Sequence, residues 1–122
     1  MILGSNPQLL LDVIVRAAED KKAFDIVILQ VSNLSSVCDY FVLLSGRSTV
    51  QVKAIAEYIQ DKLTERGVPV LRREGFREGH WVLLDYGDIV VHVFREAERE
   101  FYGLERLWRD APVVEIAVSG LT

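Results

Sequence analysis

The residues with the most chemical potential are a short phosphate-sized cradle and two acids. Gly46-Arg47-Ser48 follows the apolar run Asp39 to Leu44 and precedes a helical pattern. In that position the N–H groups of a helix start can hold a phosphate. Downstream, Asp85 and Asp88 carry the charge a magnesium ion needs. Together Gly46, Ser48, Asp85 and Asp88 define one candidate activity, nucleotidyl or phosphoryl transfer. Their spacing speaks against it. Two-metal transfer uses carboxylates two apart on a strand, so that both face the same way. Asp85 and Asp88 are three apart and flank a turn, where Asp is favoured for backbone reasons. Ser48 with Gln51 fits a helix capping box, which accounts for both without any ligand.

Cys38, His80 and His92 form the second candidate, as a metal site or a Cys/His nucleophile pair. None of them has a paired spacing such as C-x-x-C or H-x-x-x-H. A lone Cys behaves as a small buried hydrophobe. No G-x-S-x-G and no P-loop is present.

The third candidate is a pair of aromatics. Trp81 opens an apolar run just after a glycine-bounded polar loop. Tyr102 precedes Gly103 and lies off the stripe formed by Phe101, Leu104 and Trp108. Aromatics outside the core serve as binding anchors, and aromatics inside it are ordinary packing. Spacing alone leaves both readings open for Trp81 and for Tyr102.

These residues must be held by a fold of modest size. The chain has 122 residues, 50% of them hydrophobic and 26% charged, which suits one globular domain with a single core. No apolar run is long enough to span a membrane. The start lacks the basic region of a secretory signal. One cysteine allows no internal disulfide and suits a reducing cytoplasm. A net charge of −4 makes free nucleic acid a poor principal partner, and a basic protein surface a better one.

The elements read as follows. Asn6 caps a helix with Pro7 at its first position, and Lys21-Lys22 falls in its last turn. Ile26 to Val31 and Asp39 to Leu44 are strands. A helix runs from Ser48 to about Arg66, stopped by Gly67 and Pro69. Val70 to Arg72 is a short edge strand, reached by a crossover long enough to be parallel. His80 to Leu84 and Ile89 to Phe94 form a hairpin around Asp85-Tyr86-Gly87, with Gly87 at positive φ. In that register Trp81 lies opposite Val91, Leu83 opposite Ile89, and His80 near His92. Both faces of the hairpin are apolar, so the sheet should be covered on both sides. A last helix carries Phe101, Leu104, Leu107 and Trp108 on one face, weakened by Gly103. The final VVEIAVSGLT reads equally as strand or arm. The order α-β-β-α-β-β-β-α predicts an α/β fold, a mixed sheet flanked by helices.

Three blocks, CDYFVLLSGRSTVQVKAIAEYI, GHWVLLDYGDIVVHVF and FYGLERLW, resemble the ribosomal silencing factor family, also called the Iojap or RsfS family. The resemblance covers roughly Leu9 to Asp110 and implies a single domain over 1–110, with 111–122 a tail of unassigned role. It implies a nucleotidyltransferase-like fold without the catalytic acids, no enzymatic activity and no cofactor. The implied function is translation repression in the cytoplasm. Such a protein binds the large ribosomal subunit through the basic ribosomal protein L-fourteen and blocks joining of the small subunit. The implied partner-binding residues are Trp81 and Tyr102, with the acids Asp85 and Glu105 in matching blocks. The family also implies that free protein can form a homodimer.

Overall fold

The computed structural model describes residues 6–36 and 38–114. Helix α1 (Pro7–Asp20) starts as its sequence requires: the Asn6 side chain accepts from the N–H groups of Gln8 and Leu9 at 3.1 and 3.3 Å. The Lys pair falls past the last turn rather than in it. Lys21 is the C-cap, and Lys22 takes a φ of 66° that turns the chain towards the sheet. Strands β1 (Phe24–Gln30) and β2 (Tyr40–Gly46) follow, then α2 (Thr49–Glu65). At the start of α2, Ser48 accepts from the Gln51 N–H at 3.1 Å. The return contact differs from a standard capping box. Gln51 Oε1 accepts from the N–H of Arg47, and its Nε2 donates to the carbonyls of Lys21 and Lys22. One side chain thus closes the helix and ties it to the end of α1.

The remaining elements are β3 (Arg72–Glu74), β4 (Trp81–Asp85), β5 (Ile89–Arg95), α3 (Glu96–Tyr102), α4 (Leu104–Leu107) and β6 (Val113–Val114). The sheet order is β3-β4-β5-β2-β1-β6. Among the described residues its one parallel pair is β2 with β5. The long crossover therefore returns to β5, and the strand after α2 becomes an edge strand two places farther out. That edge strand is Arg72–Glu74, not Val70 to Arg72. From the final segment, Val113–Val114 pairs with β1, and residues 115–122 lie outside those described.

The hairpin register is the main correction. Trp81 lies opposite Phe94, Leu83 opposite His92 and Asp85 opposite Val90. The Tyr86 N–H donates to the Ile89 carbonyl. The loop is then the two residues Gly87-Asp88, with Gly87 at φ 90° in the first central position, where a primed turn needs it. The expected register was three residues off. Pairing side chains opposite one another share a face, so an odd slip exchanges the faces of one strand relative to the other. His80 pairs with Arg95 through the backbone and is not beside His92.

In this register each strand divides cleanly. Ile28, Val42, Leu44, Val82, Leu84, Ile89, Val91 and Val93 point to one face, where they pack with Leu11, Ile14, Val52, Ile55, Ile59 and Leu63 of α1 and α2. Leu29, Leu43, Val90 and Phe94 point to the other, where Phe41, Trp81, Leu83, Leu104 and Trp108 are partly buried against them. We call these the helix face and the outer face.

Candidate functional site

The outer face is built by the chain after β5. Arg95 leaves the sheet and is held by Glu98, whose carboxylate accepts both guanidinium N–H groups at 2.7 Å. This bidentate contact holds the Glu98 carboxyl below its ordinary range. Helix α3 then lasts only to Tyr102. The single helix expected across this segment breaks at Gly103, which takes a left-handed φ of 58°. A Cβ there would come within 2.5 Å of the Arg106 guanidinium, and the φ itself favours glycine.

The break rearranges the apolar stripe. Leu104 and Trp108 turn towards the sheet, with Trp108 edge-on to Phe41 at 5.2 Å. Phe101 and Leu107 turn out instead, 79% and 76% exposed. Tyr102, 50% exposed, lies with its ring centroid 4.8 Å from that of Trp81. Phe101 meets Tyr102 edge-on at 5.2 Å. The result is an aromatic ridge of Trp81, Tyr102 and Phe101, open to solvent at the side of β4 where Leu83 is also only half-buried. Beside it, Glu74, Gly75, Trp81 and Leu83 line a shallow open groove.

Trp81 is neither plain core nor a free surface residue. One side of its indole stacks on Phe94 at 4.9 Å. Its Nε1–H donates to His92 Nδ1 at 3.1 Å. His92 is 4% exposed, and burial lowers its pKa from 6.5 to about 4. It is therefore neutral at pH 7, with the proton on Nε2. That nitrogen is buried and has no hydrogen-bond partner among the described residues.

The two aromatics singled out in the sequence are brought together, and the two acids are not. Asp85 shares the outer face with Trp81 but lies about 13 Å farther along β4. Its carboxylate accepts the Gly87 N–H at 2.8 Å and faces Arg72 at 3.7 Å, so it shapes the hairpin turn. Glu105, in α4, grips Arg99 through both oxygens at 3.0 and 3.1 Å. Arg99 also donates to Ser45 Oγ at 2.9 Å and to the Asp25 carbonyl, and its side chain is only 10% exposed. This network joins α3, α4, β1 and β2 and fixes the angle of the break at Gly103.

The transfer-site residues are separated by the sheet itself. Gly46 pairs with Arg95 at one end of the β2–β5 ladder, and Asp88 precedes Ile89 at the other end. Six residues of strand put about 20 Å between them. Ser48 is engaged as a helix cap. Cys38, His80 and His92 are likewise apart. Cys38 precedes β2 at the hairpin end, the His80 carbonyl accepts from Arg95 at the opposite end, and His92 lies midway.

A profile described as "Ribosomal silencing factor during starvation" matches residues 5–121. The chain belongs to the ribosomal silencing factor family. It is 46% identical over 111 residues to the ribosomal silencing factor RsfS of Bacillus subtilis, covering 91% of this chain and 94% of that one. A crystal structure of a protein from Chromobacterium violaceum superimposes with a TM-score of 0.82 at 38% identity, covering 100% of this chain and 98% of the other. A mouse protein named "Mitochondrial assembly of ribosomal large subunit protein 1" is 34% identical over 118 residues, and the match spans 52% of its length. Membership of the silencing factor family places this chain among ribosome-associated regulators of translation.

Sequence reasoning missed the residues that give the ridge its shape. Spacing places Leu83, Phe101 and Leu107 in the core or the stripe, and makes Arg99 one charge among several. For His92 the spacing offers a metal ligand, a nucleophile's partner or an ordinary strand histidine, and not a partner for Trp81. Its signal was available: it is the one polar side chain within the apolar run IVVHVF.

Proposed function

We propose that this protein represses translation by occupancy. It binds the large ribosomal subunit through ribosomal protein L-fourteen, and the space it fills is space the small subunit needs. No bond is made or broken, and no cofactor takes part. The protein acts in the cytoplasm. The observation that carries this reading is the aromatic ridge, with Trp81 and Tyr102 in contact at 4.8 Å on an incompletely covered sheet face. Large aromatics grouped on one accessible face are the usual anchors of a protein interface. The family resemblance assigns partner binding to the same two residues. The name of the mouse relative, with its large-subunit assembly role, supports the choice of subunit.

The acids have secondary roles in this reading. The chain's net charge of −4 steers it to a basic partner. Glu105 contributes a partly exposed carboxylate at the rim, while Asp85 contributes charge from the hairpin end. A homodimer of free protein through the same ridge would compete with subunit docking.

Gradient sedimentation tests the proposal. Purified protein in excess over separated subunits should travel with large subunits and reduce the yield of joined ribosomes. Travel with small subunits alone, or unchanged joining at saturating protein, would refute it.

A further inference from the structure

His92 is an anomaly in the outer face. Its neighbours are aromatic: Phe41 meets it edge-on at 4.9 Å, Phe94 stacks near it at 6.1 Å and Trp81 tilts over it at 5.9 Å. An apolar residue would fill this space without leaving a buried N–H unpartnered, which is costly. Among the described residues, the one hydrogen bond the imidazole side chain makes is the one it accepts from the Trp81 indole at 3.1 Å. That bond fixes a degree of freedom that packing leaves loose. An indole stacked on Phe94 can slide or flip about its χ2 torsion, because aromatic stacking is tolerant of in-plane rotation. A directional N–H···N bond is not tolerant in that way. It selects the flip that turns the N–H, the indole's only polar group, inwards, so that the rest of the ring, 4.8 Å from that of Tyr102, offers only carbon.

We infer that His92 is a positioning residue for the docking ridge: it acts through Trp81, holding the indole in the one orientation that presents an apolar edge beside Tyr102. This rests on the proposed docking role of the ridge. It makes the surface specific for a partner with an apolar contact patch rather than one that accepts a hydrogen bond from tryptophan. Pre-orientation of an anchor reduces the ordering cost of binding.

Two variants separate positioning from simple packing. In His92→Phe the ring volume remains and the acceptor is lost. In His92→Asn the side-chain oxygen stands near the place of Nδ1, while part of the ring volume is lost. Thermal melts should rank His92→Phe as the more stable of the two. Binding to purified large subunits should rank them the other way. His92→Phe should weaken binding about tenfold, the size of one hydrogen bond, and His92→Asn should stay near the parent. In the free protein, the Trp81 indole N–H resonance, assigned with Trp108→Phe, should move upfield and exchange faster with solvent in His92→Phe only.

Three results would overturn the inference. One is a Trp81 indole resonance indifferent to His92→Phe. Another is an affinity order that simply follows the melting order. The third is parent-like binding by His92→Phe while Tyr102→Ala binds weakly. If Tyr102→Ala and Trp81→Ala both bind like the parent, the docking face itself is wrong, and the role assigned to His92 fails with it.

Discussion

The two faces of the sheet are made of similar residues and finished differently. The helix face is sealed by two long helices, and Leu11, Ile14, Ile55, Ile59 and Leu63 are completely buried on it. The outer face is covered by two short helices with a break between them, and these reach Phe41 and Leu43 but leave Trp81 and Leu83 half open. The lesson is that apolar content does not distinguish a sealed face from a partly open one here. The length and continuity of the covering helix does. Gly103 ends α3 at Tyr102, whose ring lies against Trp81 of β4, and the aromatics gather there.

The sharpest test of this contrast is a deletion on the sealed side. Leu11→Ala or Ile55→Ala should cost about 3–5 kcal/mol of stability, because a tightly packed site collapses poorly around a cavity. Urea unfolding measures it. The folded fraction should bind large subunits as the parent does. A loss under about 1 kcal/mol would show that the helix face is as loosely finished as the outer one.

Next in size is a pH effect confined to the outer face. Burial holds folded His92 at about 4 against 6.5 for the free side chain. The unfolded chain therefore binds more protons between those values. The stabilising contribution is fully present above pH 6.5 and is lost as pH falls towards 4, by about 3 kcal/mol in all. Denaturation curves at several pH values should show this slope, and His92→Phe should remove it. An unchanged slope in the variant would place the proton uptake elsewhere.

Smaller still in stability, but not in binding, is Tyr102→Ala. Half exposed and packed on one side only, Tyr102 should contribute less than about 1 kcal/mol to folding. Its loss should weaken large-subunit binding by about 2 kcal/mol, roughly thirtyfold. Leu107→Ser, at the edge of the same face, should change stability by no more than about 0.5 kcal/mol. Should it instead melt well below the parent, the outward turn after Gly103 is wrong.

Much of the fold was legible because its signals are local. Asn6 and Ser48 cap helices through bonds to residues two or three positions away, and Gly67 stops α2 in the same way. The site was legible only in part. Trp81 and Tyr102 stood out by their surroundings in sequence, yet their contact depends on the hairpin register and the Gly103 break. The register was hidden because both faces of β4 and β5 are apolar, so either alternation satisfies the pattern. The split of the last helix was hidden because Phe101, Leu104, Leu107 and Trp108 keep helical spacing across it. What turns the chain is a left-handed glycine locked by Arg99 reaching back to β1 and β2. No local window contains both ends of that tie.

The parallel β2–β5 ladder also carries a cost in chain entropy. Tyr40 must find Ile89, and Ser45 must find Phe94, across the whole of α2 and the hairpin. Closing so large a loop costs more chain entropy than forming the local helices or the β4–β5 turn. The Arg99 network depends on elements from both halves of the chain. Arg99 bonds Ser45 of β2 and Asp25 of β1 at once, so its full set of contacts exists only where those strands are paired. The partners of this network run from Asp25 to Glu105, so it is complete only when that whole span of chain is assembled.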